Sequence, residues 1–219
     1  MLPSALMSNT TPSARATVWM PLPSRSRIRG ETSAAVCVVE GELGIARELL
    51  PRLREHGIEV IQRDGSGLLR VGDAVLALSD GRMACQRARE DGLRNLILLD
   101  LAHDYRSAKR IAISHAAGID PLALEQGVAL LQRAGLTVSL LSDSPALAVL
   151  RTVAMLANEA ADALLQGVAS AADIDLAMRA GVNYPQGPLA WADAIGLAHV
   201  VKTLDNLQAS YGEERYRPS

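Results

Sequence analysis

Phenylalanine is absent from this chain, and aromatic residues make up only 3% of it. The interior therefore has to be built from Leu, Ala, Val and Ile. With 49% hydrophobic residues in 219, there is enough apolar surface for one compact domain or two small ones. Cysteine is nearly absent too. Cys37 and Cys85 cannot make a disulfide framework, and both lie among apolar neighbours, so they read as buried thiols in a reducing cytoplasm. Charge of one sign is lacking. A formal net charge of −2 argues against a general nucleic-acid binder, which usually shows a basic face. No apolar run approaches the roughly 18 residues of a membrane-spanning helix. Four histidines and two cysteines show no zinc spacing, so no metal is expected.

What is present divides the chain into three. Residues 1–33 are rich in Ser, Thr, Pro and Arg, lack the apolar core of a secretory signal, and read as a disordered lead-in. From residue 34 to 142, short apolar runs alternate with helical patterns. Strands are predicted at 34–39, 58–63, 73–78, 94–102, 109–117 and 136–142, and helices at 45–57, 81–91 and 120–135. Asp120 and Pro121 stand where a helix N-cap and first position belong. This alternation implies an α/β domain with a parallel sheet. From 143 to 219 the strands stop. A helix is predicted from Ser144 as N-cap and Pro145 as first residue to Gly167. Leu147, Leu150, Ala154, Ala157, Ala161 and Leu164 form its apolar face. A second helix starts at Ser170, with Asp173 in a capping-box position. A third runs from Leu197 to Tyr211 and closes on Gly212. The final seven residues read as a frayed polar tail. His56 and His199 read as helix-surface residues.

An α/β region followed by helices suggests a nucleotide-binding domain, and the first strand-to-helix turn tests that idea. A dinucleotide site wants G-x-G-x-x-G there, so that backbone N–H groups can approach the pyrophosphate. The chain offers VVEGELG, with Val39, Gly41 and Gly44 at the three glycine positions. The first glycine is missing, and Glu40 and Glu42 put two carboxylates beside the anion's place. Asp64 lies about 20 residues on, where a ribose ligand is expected. It serves equally well as a turn residue in RDGSG.

The stretch AMRAGVNYPQGPLAWADAIGL, with 143–178 before it and 205–219 after it, resembles the helical C-terminal domain of the 3-hydroxyacyl-CoA dehydrogenases. It is most similar to the second half of the long bacterial enzymes of phenylacetate and related acyl-CoA breakdown. The resemblance implies a degenerate Rossmann-like domain followed by that helical domain. It also implies NAD as cofactor, an acyl-CoA substrate, and a histidine acid/base oriented by a Glu, with Ser and Asn near the substrate oxygen. His115 falls near the family's histidine, though ISHAAGIDP lacks the Phe-Phe-Asn-Pro that follows it. The turn that would carry the family's Ser, LLDLAHDY, has no Ser before Ser107. Arg151 is kept in the lead into the helical domain, while Leu150 stands where the family has Asn. Tyr184, Pro185, Gly187 and Pro188 would fix a rigid turn, with Trp191 as an anchor for the interior or for an interface.

Three functions follow. The first is a weak or inactive half of such a dehydrogenase, working as a homodimer or on a separate active half. The second is a self-sufficient NAD-dependent 3-hydroxyacyl-CoA dehydrogenase. The third is a non-enzymatic acyl-CoA or nucleotide sensor. Neither nucleic acid nor membrane is expected as a partner.

Overall fold

The computed structural model describes residues 36–219. The expectation for residues 1–33 falls outside them. Seven strands form one sheet: β1 (Val36–Glu40), β2 (Glu59–Arg63), β3 (Leu68–Val71), β4 (Ala74–Leu78), β5 (Leu96–Leu99), β6 (Arg110–His115) and β7 (Thr137–Leu140). Three helices accompany them: α1 (Leu49–Glu55), preceded by a 3-10 turn at Gly44–Glu48, α2 (Ala84–Glu90) and α3 (Pro121–Arg133). The remaining helices are α4 (Val149–Leu165), α5 (Ala171–Val182), α6 (Pro188–Ile195) and α7 (Leu197–Tyr211).

The strand order is β2-β1-β3-β4-β5-β6-β7. The sheet is mixed rather than parallel throughout: β1·β2, β4·β5 and β6·β7 are parallel, whereas β1·β3, β3·β4 and β5·β6 are antiparallel. Connection length explains this. A parallel pair needs a crossover of a dozen or more residues. Only Gly72 and Asp73 separate β3 from β4, with Gly72 at φ +53°, and no helix stands between β5 and β6. The strand β3 was not predicted, because its four residues sit between two turn signals. Leu68 and Leu69 are nonetheless buried.

β4 and β5 are buried on both faces. Ala74, Leu76, Ile97 and Leu99 meet the residues of α1 and α3, while Val75, Ala77, Leu96 and Leu98 meet Ala84 of α2. The helical domain has its own core. Leu150, Val153, Ala154 and Ala157 of α4 pack on Trp191, Ile195, Val200, Leu204 and Leu207. Small alanines on α4 let α6 and α7 come close. Leu164, assigned to the buried face, is exposed, because Val153 and Ala160 turn inward instead. The tail is not frayed: Tyr216 is fully buried, and Asn158 holds the carbonyl of Arg217 and the N–H of Ser219. Cys37 is buried as expected, but Cys85 is exposed, since it lies on the outer side of α2.

Candidate functional site

The strands β1, β2, β4 and β5 run one way, and β3, β6 and β7 the other. Ligands in open α/β sheets bind outside the carboxyl ends of the strands. Gly41, Gly44 and Asp64 all follow the carboxyl ends of β1 and β2, so the structure places them together.

The turn itself is occupied by protein. The N–H of Gly41 donates to the carbonyl of Arg63 at 2.8 Å, and the N–H of Gly67 donates to the carbonyl of Glu40 at 2.6 Å. A Cβ on Gly41 would lie 2.1 Å from the Gly65 oxygen, and one on Gly67 would lie 2.6 Å from the Glu42 oxygen. Glu40 pairs with Arg70 at 2.8 Å. Asp64 is exposed. A pyrophosphate needs free N–H groups and room for close approach. This turn has spent the Gly41 N–H and has the 65–67 backbone lying against it. The residues present do not fit a dinucleotide.

His115 lies at the opposite end of the sheet. It closes β6, which runs against β5, and it pairs in register with Ile97 near the start of β5. Its Nδ1 faces the carbonyl of Ala116 at 3.0 Å. That is its one side-chain hydrogen bond among the described residues, and no carboxylate orients it. No group of His, Cys, Asp and Glu that could hold a metal ion occurs among the described residues.

At the carboxyl end, a cleft of about 530 Å³ opens between the two domains, beside Gly44, Glu48, His103, Asp104, Asp193 and Gly196. Three carboxylates, from Glu48, Asp104 and Asp193, line it against one guanidinium, from Arg47. Asp104 accepts from Ser107 Oγ at 2.5 Å and from the Arg106 N–H at 2.9 Å, and these bonds lower its carboxyl from the ordinary value. His103 does not meet Asp104; it sits edge-on to Trp191, with ring centroids 5.4 Å apart.

Beside the cleft, two strand-end carboxylates join the domains. Asp80, just after β4, accepts from Arg82 at 2.7 Å and pairs with Lys202 of α7 at 3.0 Å. Burial works to raise Asp80, but Arg82, Arg87 and Lys202 outweigh it and hold the carboxyl well below the usual range. Asn206 donates to the Asp80 carbonyl at 2.8 Å. His199 is half-buried rather than free on the helix surface: its Nε2 donates to the Ser79 carbonyl at 2.9 Å, and burial lowers its pKa. Asp100, just after β5, accepts from the N–H groups of Ala148, Val149 and Leu150 at 2.8–3.1 Å. It caps α4 in place of Ser144. Pro145 therefore lies in the turn before the helix, not at its first position. Sequence reasoning passed over both aspartates. Their one signal was position, directly after the apolar runs LALS and LILL.

In the helical domain, Asn183 ends α5 in the left-handed conformation, φ +58°. Tyr184 is half-buried and Pro185 exposed. Pro188 opens α6, and the Asp175 carboxylate accepts from Leu189 and Ala190 N–H groups, both at 2.9 Å. A Cβ on Gly187 would stand 2.2 Å from the Asp175 carboxyl carbon, which is why that position is glycine. Trp191 is an interior residue, 7% exposed, and not a surface anchor. Arg151 donates to the hydroxyls of Tyr211 and Tyr216 and holds the tail.

Comparison with known proteins agrees with this layout. Residues 76–145 match the 3-hydroxybutyryl-CoA dehydrogenase reduced Rossmann-fold domain. Residues 148–219 match the 3-hydroxyacyl-CoA dehydrogenase C-terminal domain. A 3-hydroxyadipyl-CoA dehydrogenase of Escherichia coli is 40% identical over 159 residues, which are 72% of this chain and 32% of the relative. A solved 3-hydroxybutyryl-CoA dehydrogenase of Escherichia coli K12 superimposes with a TM-score of 0.66 at 40% identity, covering 72% of this chain and 32% of that one. A solved (S)-3-hydroxybutyryl-CoA dehydrogenase of Ralstonia eutropha gives 0.53 at 25% identity, over 65% of this chain and 51% of that one. The chain spans about a third of the length of the curated relatives it matches. By both of its matched domains, the chain belongs to the 3-hydroxyacyl-CoA dehydrogenase family.

Proposed function

We propose that the chain is a weak or inactive half of a 3-hydroxyacyl-CoA dehydrogenase. The family reaction is the NAD-dependent interconversion of 3-hydroxyacyl-CoA and 3-oxoacyl-CoA. In this reading the chain contributes a helical domain and no chemistry of its own. One observation carries it: His115, the candidate acid/base, lies at the end of the sheet opposite Gly41, Gly44 and Asp64. A hydride and a proton must be moved at one carbon centre, so groups at opposite sheet ends cannot share the step. The likeness to a 3-hydroxyadipyl-CoA dehydrogenase supports a place in cytoplasmic acyl-CoA breakdown, including that of phenylacetate.

The partner is a separate dehydrogenase half. A 3-hydroxyadipyl-CoA dehydrogenase of which only 32% is matched by this chain supports that choice over a second copy, because the remainder of such a relative supplies the other half. The helical domain has a face to offer. None of α5 is buried, and Leu165, Val168, Leu176 and Val182 are all more than half exposed. Exposed apolar side chains in this number mark an interaction surface.

The test is oxidation of NADH by the purified chain with acetoacetyl-CoA. No turnover alone, with turnover when a homologous active half is added, is the expected result. Turnover by the chain alone that is lost in His115→Ala would establish a self-sufficient enzyme instead. Binding of an acyl-CoA without turnover, with no dehydrogenase associating, would establish a sensor.

A further inference from the structure

We infer that the first strand-to-helix turn is sealed by the chain's own β2–β3 loop, so that this chain holds no dinucleotide. Any nicotinamide used by an assembly containing it is then held by another chain. That last consequence rests on the proposed function; the sealing does not.

The seal is an interlock of three glycines. Gly41 at φ +73° and Gly67 at φ +79° hold conformations that other residues rarely adopt. A Cβ at Gly65 would lie 2.6 Å from Cβ of Glu40, as close as the approach already described at Gly67. Each glycine is thus required by a neighbouring residue of this chain and not by a ligand. The bonds between Gly41 and Arg63 and between Gly67 and Glu40 stitch the loop across the end of β1 from both sides. Those bonds use the N–H of the one motif glycine that would have faced a phosphate. The loop continues directly into β3, which is hydrogen-bonded along β1 from Val38 to Glu40. Opening the turn would therefore mean unpairing a strand inside the sheet. This separates a sealed turn from a mobile lid. Glu40 and Glu42 complete the exclusion: Glu40 is held by Arg70, and Glu42 is exposed at the mouth of the turn. A diphosphate approaching it would meet negative charge where the family's binding sites need positive potential.

The test uses the whole chain. NADH and NADPH are titrated into it while nicotinamide fluorescence and Tm are followed. The expected result is no saturable fluorescence rise and no upward shift of Tm up to about 1 mM, the upper end of ordinary KM values. Saturable, stoichiometric binding would overturn the inference, most directly if Asp64→Ala weakened it, because Asp64 is exposed and has no partner holding the fold. Gly41→Ala and Gly65→Ala form the second arm. The interlock requires both to lower Tm in the absence of any nucleotide, and unchanged Tm in either would also overturn it. NADH binding without turnover would sink this inference and leave the accessory-half reading standing. Turnover by the chain alone would sink the accessory-half reading as well.

Discussion

At the scale of single residues, the dominant device is the aspartate that caps a helix from elsewhere in the chain. Asp143 accepts from the N–H groups of Ala84 and Cys85 at the start of α2, at 2.6 and 2.9 Å. Asp100 does the same for α4 and Asp175 for α6. The first N–H groups of a helix have no partner inside it, and a carboxylate also meets the positive end of the helix dipole. Asp100 is fully buried, so its loss strands three donors in an apolar setting. Asp100→Ala is expected to cost about 2–3 kcal/mol, and Asp175→Ala, at a half-buried site, about 1 kcal/mol. Urea unfolding of the two variants side by side checks that order. Gly187→Ala should cost about 1–3 kcal/mol, since the new Cβ must displace the Asp175 carboxylate. Asp120 shows the contrast: it caps α3 locally, accepting from the Leu122 N–H at 2.9 Å, and it was legible from sequence.

At the scale of elements, α7 is locked to the end of β4 by groups that titrate. His199 is held below its ordinary pKa by burial, with Asp80, Lys202 and Arg87 as the charges around it. Its contribution to stability is therefore complete above its unfolded value of about 6.5 and is lost as pH falls through the lower folded value. Asp80 is also depressed, so its contribution is complete above about 3.9 and is lost further into acid. Acid unfolding should then proceed in two stages. His199→Gln is expected to flatten the first stage, below about pH 6.5, and Asp80→Asn the second. Chemical denaturation across pH would show both. The tail is a second lock. Tyr216 stacks on Tyr211 with centroids 5.3 Å apart, under the guanidinium of Arg151. Tyr216→Ala should cost about 3–5 kcal/mol, as for other large buried aromatics, which Tm and urea midpoints would report.

At the scale of the whole molecule, strand direction decides what can act together. His115 is on a strand that runs against β5, and this carries it away from the carboxyl ends of β1 and β2. In an assembly with an active dehydrogenase half, His115→Ala is expected to leave kcat and KM within about twofold of the parent, an effect well below one decade. A loss of a hundredfold or more in kcat would return His115 to the reacting centre.

Much of this architecture was legible because it rests on local chemistry. The apolar runs of β1, β4, β5 and β7, the cap of Asp120, the left-handed closures at Gly167 and Gly212, and the Ser170 cap all depend on residues a few positions apart. The family likeness was legible for the same reason, since a contiguous stretch around Tyr184–Trp191 carries it. Tertiary structure alone decided the rest. Whether the sheet was parallel depended on which short runs paired. Whether Tyr216 was buried and His199 half-buried depended on what packed over them. Whether Gly41 faced a phosphate or the Gly65 carbonyl depended on where a loop twenty-odd residues later came to lie. Sequence sets the chemistry each residue can offer a neighbour, whereas only the fold chooses the neighbour.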